Sequence, residues 1–210
     1  IRKDDFMFKK FASDALGLSD VGKIISPADF DKTDADDYLM NEDDEKIYFL
    51  IKTKADEYCF TNFALIHVDG ANAVSSKRVL KRYTYAQNKI SDVMLETAGR
   101  IDLDVEIKFK IGNIIFDIDV RKDQIEQLKD LYKSLIHISE ITYENELLMN
   151  AATTSLDKAS LVLQHAKTSE NALAGTFKEL TEFSFAWLTA SREQYHLKDY
   201  GFVFEKYINN

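Results

Sequence analysis

The chain of 210 residues is poor in the residues that loop-rich, secreted and membrane-spanning proteins need. It has one proline and seven glycines, which argues against a loop-rich or disordered chain. Cys59 is the only cysteine, so no internal disulfide can form, and we expect a reducing, cytoplasmic compartment. Nowhere do about 18 apolar residues follow one another, so the sequence predicts no segment that spans a bilayer.

Positive charge is also scarce, because 27 Lys and Arg stand against 36 Asp and Glu for a net charge of −9. General binding to nucleic acid or to an anionic membrane is therefore not expected. The acidic residues are dense in the stretch 28–46, which predicts a solvated loop or a short helix. This stretch lacks the glycine and glutamate of an EF-hand, and the four histidines are scattered, so no metal or cofactor site is predicted.

Between residues 47 and 120 the chain has the pattern of short β-strands, which predicts an antiparallel sandwich or barrel. The clearest part is RIDLDVEIKFKIGNIIFDIDV at 100–120, where apolar residues fall on every second position. Gly112-Asn113 predicts a two-residue turn that pairs Phe109 with Phe116 and Lys108 with Asp117, so the charges encode strand register. The seven predicted strands are 47–53, 57–62, 63–69, 76–85, 92–98, 102–111 and 113–120.

Apolar residues at helical spacing occur on both sides of the strands. Residues 5–16 predict a first helix, and Asp123 predicts the cap of a second, whose core-facing residues extend to Ile138. From Ser139 onward two helices are expected, with a break at Gly175. We therefore predict three parts: an N-terminal helix and acidic linker (1–44), a domain (45–138) and a helical hairpin (139–210). The apolar face of the first helix consists of Phe8, Phe11, Ala12, Ala15 and Leu16.

Two sequence runs carry a resemblance to a known family. They are CFTNFALIHVDG at 59–70 and KRYTYAQNKISDVMLETAGRIDLDVEIKF at 81–109, of which ETAGRIDLDVEIKF is the most specific. The region 45–138 resembles the bacterial pleckstrin-homology (PH) domains, which implies an α+β fold: a seven-stranded antiparallel sandwich or barrel capped by a helix. Asn62 and Ala64 depart from the charged residues usual in the family, so contacts of those charges are not transferred to this chain.

The predicted hairpin resembles the YvbH-like extension that accompanies some of these domains and is associated with oligomerisation. No phosphate loop, nucleophile elbow or zinc-protease motif occurs, so we expect a non-enzymatic interaction protein that forms a homo-oligomer. The alternative for the hairpin is packing on its own PH domain. The candidate interface residues are Leu156, Leu163, Phe177, Phe183 and Trp187.

A second candidate site is a basic cluster made of Lys77, Arg78, Lys81 and Arg82. Convergent cations can bind an anionic lipid headgroup or a phosphate, which gives the alternative function. In a strand, however, alternate residues point to opposite faces, and charged side chains also protect an edge strand from unwanted pairing. Binding of a protein or peptide partner along a sheet edge is a third possibility that the sequence leaves open.

Overall fold

The computed structural model describes residues 20–70, 78–97, 104–164 and 173–208. Eight strands are present: β1 (Lys23–Ile24), β2 (Ile47–Lys52), β3 (Glu57–Thr61), β4 (Ala64–Gly70), β5 (Arg78–Thr84), β6 (Ile90–Glu96), β7 (Asp104–Ile111) and β8 (Ile114–Arg121). The α-helices are α1 (Ile125–Gln164), α2 (Leu173–Tyr195) and α3 (Gly201–Tyr207). Short 3-10 helices occupy Pro27–Lys32, Ala35–Tyr38, Asn41–Asp43 and Lys122–Gln124. The helix predicted at 5–16 lies outside the described residues.

The strands form two antiparallel sheets, which confirms the predicted fold class. One sheet has the order β1-β2-β3-β4-β5 and the other β6-β7-β8. The two-residue strand β1 was not predicted. Immediately before it, the Gly22 amide donates to the carbonyl of Asp119 at 2.8 Å, and Gly22 accepts from the Arg121 amide at 3.0 Å. A Cβ at Gly22 would lie 2.8 Å from that Asp119 oxygen, so glycine permits the junction between the sheets.

The hairpin of β7 and β8 has the predicted register. Phe109 pairs with Phe116 and Lys108 with Asp117. Only Gly112 of the two turn residues has a positive φ, at 59°, which is the pattern of a type II′ turn. Lys108 lies 2.7 Å from Glu106 and 3.8 Å from Asp117, and its hydrogen bond to Glu106 is the largest of the effects that raise its pKa. The closest carboxylate to Lys108 is thus on its own strand, and the predicted cross-strand pair with Asp117 is the longer contact.

The domain core lies between the two sheets and under the first part of α1. Phe109 stacks on Phe116 with 5.1 Å between ring centroids, and Phe60 lies 6.0 Å from Phe109. The burial of each such side chain stabilises the folded state by about 1.5–3 kcal/mol. The predicted helical stripe is confirmed by buried residues, but Asp123 does not cap the helix, because its carboxylate accepts two hydrogen bonds from Arg121. The buried stripe consists of Leu128, Leu131, Leu135 and Ile138.

The acidic stretch is not a solvated loop. It forms three 3-10 helices whose apolar side chains cover the outer face of the five-stranded sheet, where Ala35 joins the buried cluster that contains Leu50 and Cys59. The Glu57 carboxylate accepts hydrogen bonds from the backbone amides of Asp34 (3.1 Å) and Ala35 (2.8 Å). Of the two predicted alternatives, a solvated loop or a short helix, the helix is therefore the nearer, and the high density of aspartates obscured the few apolar residues that pack.

The chain divides into two compact units. The first runs to Ser139 and includes the chain from Lys198 onward, and the second is Glu140–Leu197. In the first unit, Phe204 of α3 is buried and stacks on Tyr48 at 5.4 Å. The tail, which the predicted helical hairpin (139–210) included, is thus part of the first unit. The break predicted at Gly175 was wrong, since this glycine lies inside α2.

Candidate functional site

The second unit, Glu140–Leu197, exposes an unusual amount of apolar side chain. Of the nineteen large apolar side chains that are exposed in the described residues, eleven belong to this unit. Phe177 is 72% exposed and Phe185 is 74% exposed. Large contiguous apolar patches on a surface are typical of interaction sites. The eleven side chains are Tyr143, Leu147, Leu148, Leu161, Val162, Leu163, Leu173, Phe177, Phe183, Phe185 and Trp187.

The same unit has no core of large side chains among the residues whose burial is described. Only Ala152 and Ser191 are buried there, and both are small. In the first unit, by contrast, Phe60 and Phe109 are at most 1% exposed. Two helices that bury so little apolar area gain little stability from their own contacts. Most large apolar side chains of the helical unit are therefore left uncovered by its own helices.

A shallow apolar groove of about 320 Å³ lies between the two helices of this unit. One wall comes from α1 and the other from α2, and none of the lining side chains carries a charge. Phe183 is 61% exposed at the groove and stacks on Trp187 with centroids 6.3 Å apart. Such aromatic pairs contribute about 0.5–1.5 kcal/mol beyond area burial when they are covered. The lining residues are Leu156, Ala159, Ser160, Leu163, Leu180, Phe183 and Ser184.

The structure brings together most of the predicted interface residues. Leu156, Leu163 and Phe183 line the groove, and Trp187 adjoins it through Phe183. Phe177 is exposed on α2 but is not part of the lining. Ala159 shares the predicted apolar stripe of Leu156 and Leu163, whereas the serines of the lining, Ser160 and Ser184, were not predicted. Their signal was the helical spacing of small residues beside leucines.

The basic cluster is paired with carboxylates where it is described. Arg78 Nε lies 3.4 Å from Asp34, and Lys81 Nζ lies 2.7 Å from Asp69. These partners neutralise cations that a headgroup site would need. Arg82 donates to both oxygens of Glu45, at 3.1 and 2.8 Å, and the Glu45 side chain is fully buried. Lys77 lies outside the described residues.

The comparisons with known proteins match two separate parts of the chain. Residues 15–139 match the model of the bacterial PH domain. The chain belongs to this family. Residues 150–210 match a second model, the YvbH-like oligomerisation region. Both predicted resemblances are therefore confirmed, and the second match covers most of the helical unit together with the tail.

Two relatives of this PH-domain chain extend over nearly its whole length. A protein of Bacillus subtilis strain 168 named uncharacterized protein YvbH is 70% identical over 204 residues, which is 97% of this chain and 100% of that protein. The crystal structure of a PH-domain-containing bacterial protein from Exiguobacterium sibiricum 255-15 is 51% identical. It has a TM-score of 0.83 and covers 90% of this chain and 100% of that chain.

Asn62, which departs from the charge usual in the family, joins the PH domain to its own tail. Its side-chain oxygen accepts from the Lys46 amide at 2.9 Å, and its Nδ2 donates to the Asp199 carboxylate at 3.0 Å. Its backbone carbonyl accepts from the Tyr200 amide at 2.9 Å. A neutral amide suits this position because it donates and accepts at once.

The other reactive side chains of the PH domain have structural surroundings. Cys59 is fully buried, and burial raises the pKa of its thiol well above the ordinary value. His67 stacks on Tyr58 at 4.7 Å. In the described ranges, no three His, Cys, Asp or Glu side chains are grouped to hold a metal ion. Nor does any helix described here combine the length and apolar character needed to cross a membrane.

Proposed function

We propose that this chain is a non-enzymatic scaffold whose PH domain is assembled into a homo-oligomer through the helical unit. The observation that carries the proposal is the exposed aromatic and aliphatic surface of a unit that has only Ala152 and Ser191 buried among its described residues. Interfaces favour such aromatic residues at their centre. The match to a YvbH-like oligomerisation region supports the same conclusion.

The occupant of the apolar groove is then a second copy of the same unit. Its lining carries no charge, whereas a helix face that contacts solvent is normally polar. Phe177 and Phe185, which project from α2, are the kind of side chain that fills such a groove. In a symmetric dimer each copy would supply both the groove and the projecting rings.

The test is the solution mass of the full chain, measured by light scattering after size exclusion across a dilution series. The double variant Phe183→Ala/Trp187→Ala should raise the dissociation constant by roughly 30-fold or more, as for the loss of a binding hot spot of about 2 kcal/mol. Phe202→Ala is the matched control, because Phe202 is 51% exposed on α3 in the other unit. Retention of the wild-type mass by the double variant, with unchanged helical circular dichroism, would contradict the proposal.

Binding of anionic lipid or phosphate is the weaker candidate. It relies on Arg78, Lys81 and Arg82, and each of these has a carboxylate partner within the chain. The net charge of −9 also repels an anionic surface at long range. Salt-sensitive binding to vesicles that contain anionic lipid, lost on Lys81→Glu, would favour this candidate over the scaffold.

A further inference from the structure

A cavity of about 600 Å³ in the PH domain belongs to neither of the candidate sites described above. Its walls come from the segment 23–30, from β2, from the segment 124–130 at the start of α1 and from Ile208 in the tail. This volume is in the range of about 300–1,000 Å³ that is typical of small-molecule sites. The proposed assembly of the helical unit does not use it, because every lining residue belongs to the first unit.

Most of the wall is apolar, and its two central polar side chains are already bonded within the chain. The Tyr48 hydroxyl donates to Glu205 at 2.8 Å. The Gln124 amide accepts from the backbone of Ile24 at 2.8 Å and donates to it at 3.0 Å. A ligand that fills the cavity therefore needs a hydrocarbon body. The apolar lining residues are Ile24, Ile25, Pro27, Phe30, Phe49 and Ile208.

The rim of the cavity has one charged group without an ion-pair partner. Each of its three carboxylates pairs with a lysine three residues later in the chain, so their charges are compensated locally. Lys23, by contrast, has no carboxylate within 4 Å in the part of the chain that the structure describes. Its charge lowers the pKa of Asp123, but that carboxylate is bonded to Arg121. The compensated pairs are Asp29 with Lys32, Glu126 with Lys129 and Asp130 with Lys133.

We propose that this cavity binds a medium-chain aliphatic carboxylate, with its hydrocarbon chain on the apolar wall and its carboxylate at Lys23. Ser26 and Gln127 line the same rim, and neither side chain has a hydrogen-bond partner among the described residues, so both can donate to the carboxylate. One uncompensated lysine matches a single negative charge. This favours a carboxylate over a phosphate monoester, whose charge is about −1.5 to −2 at pH 7.

The net charge of −9 does not prevent binding of such a ligand. Coulomb repulsion grows with the charge of the partner, so it acts more strongly on an anionic membrane surface than on one monoanion. It is also screened beyond about 10 Å at 0.1 M ionic strength, whereas a bound carboxylate would contact Lys23 directly. The local charge at the rim therefore decides which small ligand is accepted.

Isothermal titration calorimetry of the full chain with sodium decanoate, below its micellar range at pH 7.5, tests the proposal. Octanoate should bind roughly tenfold more weakly, because it lacks two methylenes and each fully buried one changes affinity by about fourfold. Lys23→Gln should weaken decanoate binding by about tenfold, as for the loss of one charge-assisted hydrogen bond. Lys54→Gln removes the same charge from an exposed residue outside the cavity and should leave the affinity unchanged.

Three results of the titration would overturn the proposal. They are no binding of decanoate, equal affinities of the wild type and Lys23→Gln, and equal affinities for decanoate and for decyltrimethylammonium, which has the opposite charge. Amide exchange in 104–111 reports whether Lys23→Gln is folded.

Hydrogen exchange of the full chain then locates the ligand. Saturating decanoate should slow amide exchange several-fold in the wall segments 23–30 and 124–130. Protection found instead in β5, which carries the basic cluster, or in 156–163 and 180–187, which line the apolar groove, would overturn the proposal. Phe183→Ala/Trp187→Ala leaves the cavity intact and should bind decanoate like the wild type, so this inference and the proposed function can fail separately.

Discussion

The imidazole of His67 is packed between aromatic rings and carboxylates. It stacks on Tyr58 at 4.7 Å, and its Nε2 lies 3.3 Å from Asp56. Burial lowers its pKa, while Asp56 and Asp69 oppose that effect and Lys81 adds to it. A histidine in the unfolded chain has a pKa of about 6.5. The folded state therefore favours the neutral ring, and its stabilising contribution is complete above that pKa.

This contribution should be lost as the pH falls from the unfolded pKa of about 6.5 through the lower folded pKa, because the ring must then be protonated against its surroundings. His67→Gln should lower the free energy of unfolding at pH 7.5 and reduce the difference between pH 7.5 and pH 5.5. Urea unfolding at the two pH values measures both effects. His196→Gln controls for the loss of a histidine. An unaltered pH difference in the His67 variant would show that this ring does not titrate during unfolding.

At the scale of elements, the tail helix α3 is held by a hydrogen bond whose donor and acceptor residues can be exchanged by mutation. Asn62→Asp would set two carboxylates about 3 Å apart and remove the donor to Asp199. We expect the free energy of unfolding to fall by about 1–3 kcal/mol, as for a broken, partly buried hydrogen bond. Limited proteolysis should then cut faster near residues 196–200. The exchange Asn62→Asp/Asp199→Asn restores a donor opposite a carboxylate and should recover part of the protection. Equal cleavage rates in all three proteins would contradict this role of Asn62.

The elements that the sequence predicted are those with a periodic pattern along the chain. Alternation gave the strands from β2 to β8, and Gly112 gave the register of the last hairpin. Contacts between distant segments have no such pattern. The short strand β1 pairs with β2 beside the point where Gly22 bonds to β8, and the acidic stretch is joined to the sheet by distant partners, among them Arg82, which donates to buried Glu45. The break was wrongly predicted at Gly175 because the sequence does not distinguish a glycine that is tolerated within a helix from one that ends it.

The candidate site was predicted in its location more completely than in its shape. Large apolar residues at helical spacing identified Leu156, Leu163, Phe177, Phe183 and Trp187, because their spacing is visible in one sequence. The groove between the helices also needs small residues from both, and their meeting depends on how α1 and α2 pack. The pairing of the basic cluster was hidden for the same reason, since its carboxylate partners lie far away in the chain.

At the scale of the whole molecule, both ends of the helical unit continue into segments that belong to the first unit. The first part of α1 buries Leu128 and Leu131, and the returning tail buries Val203 and Phe204. A truncation after residue 140 would remove the tail from the domain core and expose Tyr85, which lies 6.2 Å from Phe204. Substitutions on the exposed face of the helical unit therefore test assembly more cleanly than shortening the chain.

The net charge of −9 gives the assembly a characteristic response to salt. Copies with this charge repel each other, and the repulsion is screened as the Debye length falls from about 10 Å at 0.1 M to about 3 Å at 1 M ionic strength. The apolar contact proposed around Phe183 and Trp187 is not weakened by that change. Because the repulsion is screened, the dissociation constant of self-association should fall several-fold between 0.05 and 0.5 M NaCl.

Sedimentation equilibrium at the two salt concentrations measures this effect in the wild type and in Phe183→Ala/Trp187→Ala. The double variant should have the lower mass at both concentrations, because screening removes repulsion without supplying an interface. Binding through the basic cluster would have the opposite salt response, since attraction between Arg78, Lys81 or Arg82 and an anionic surface is screened as well. Weaker self-association of the wild type at high salt would mean that ion pairs, and not the apolar face, hold the copies together.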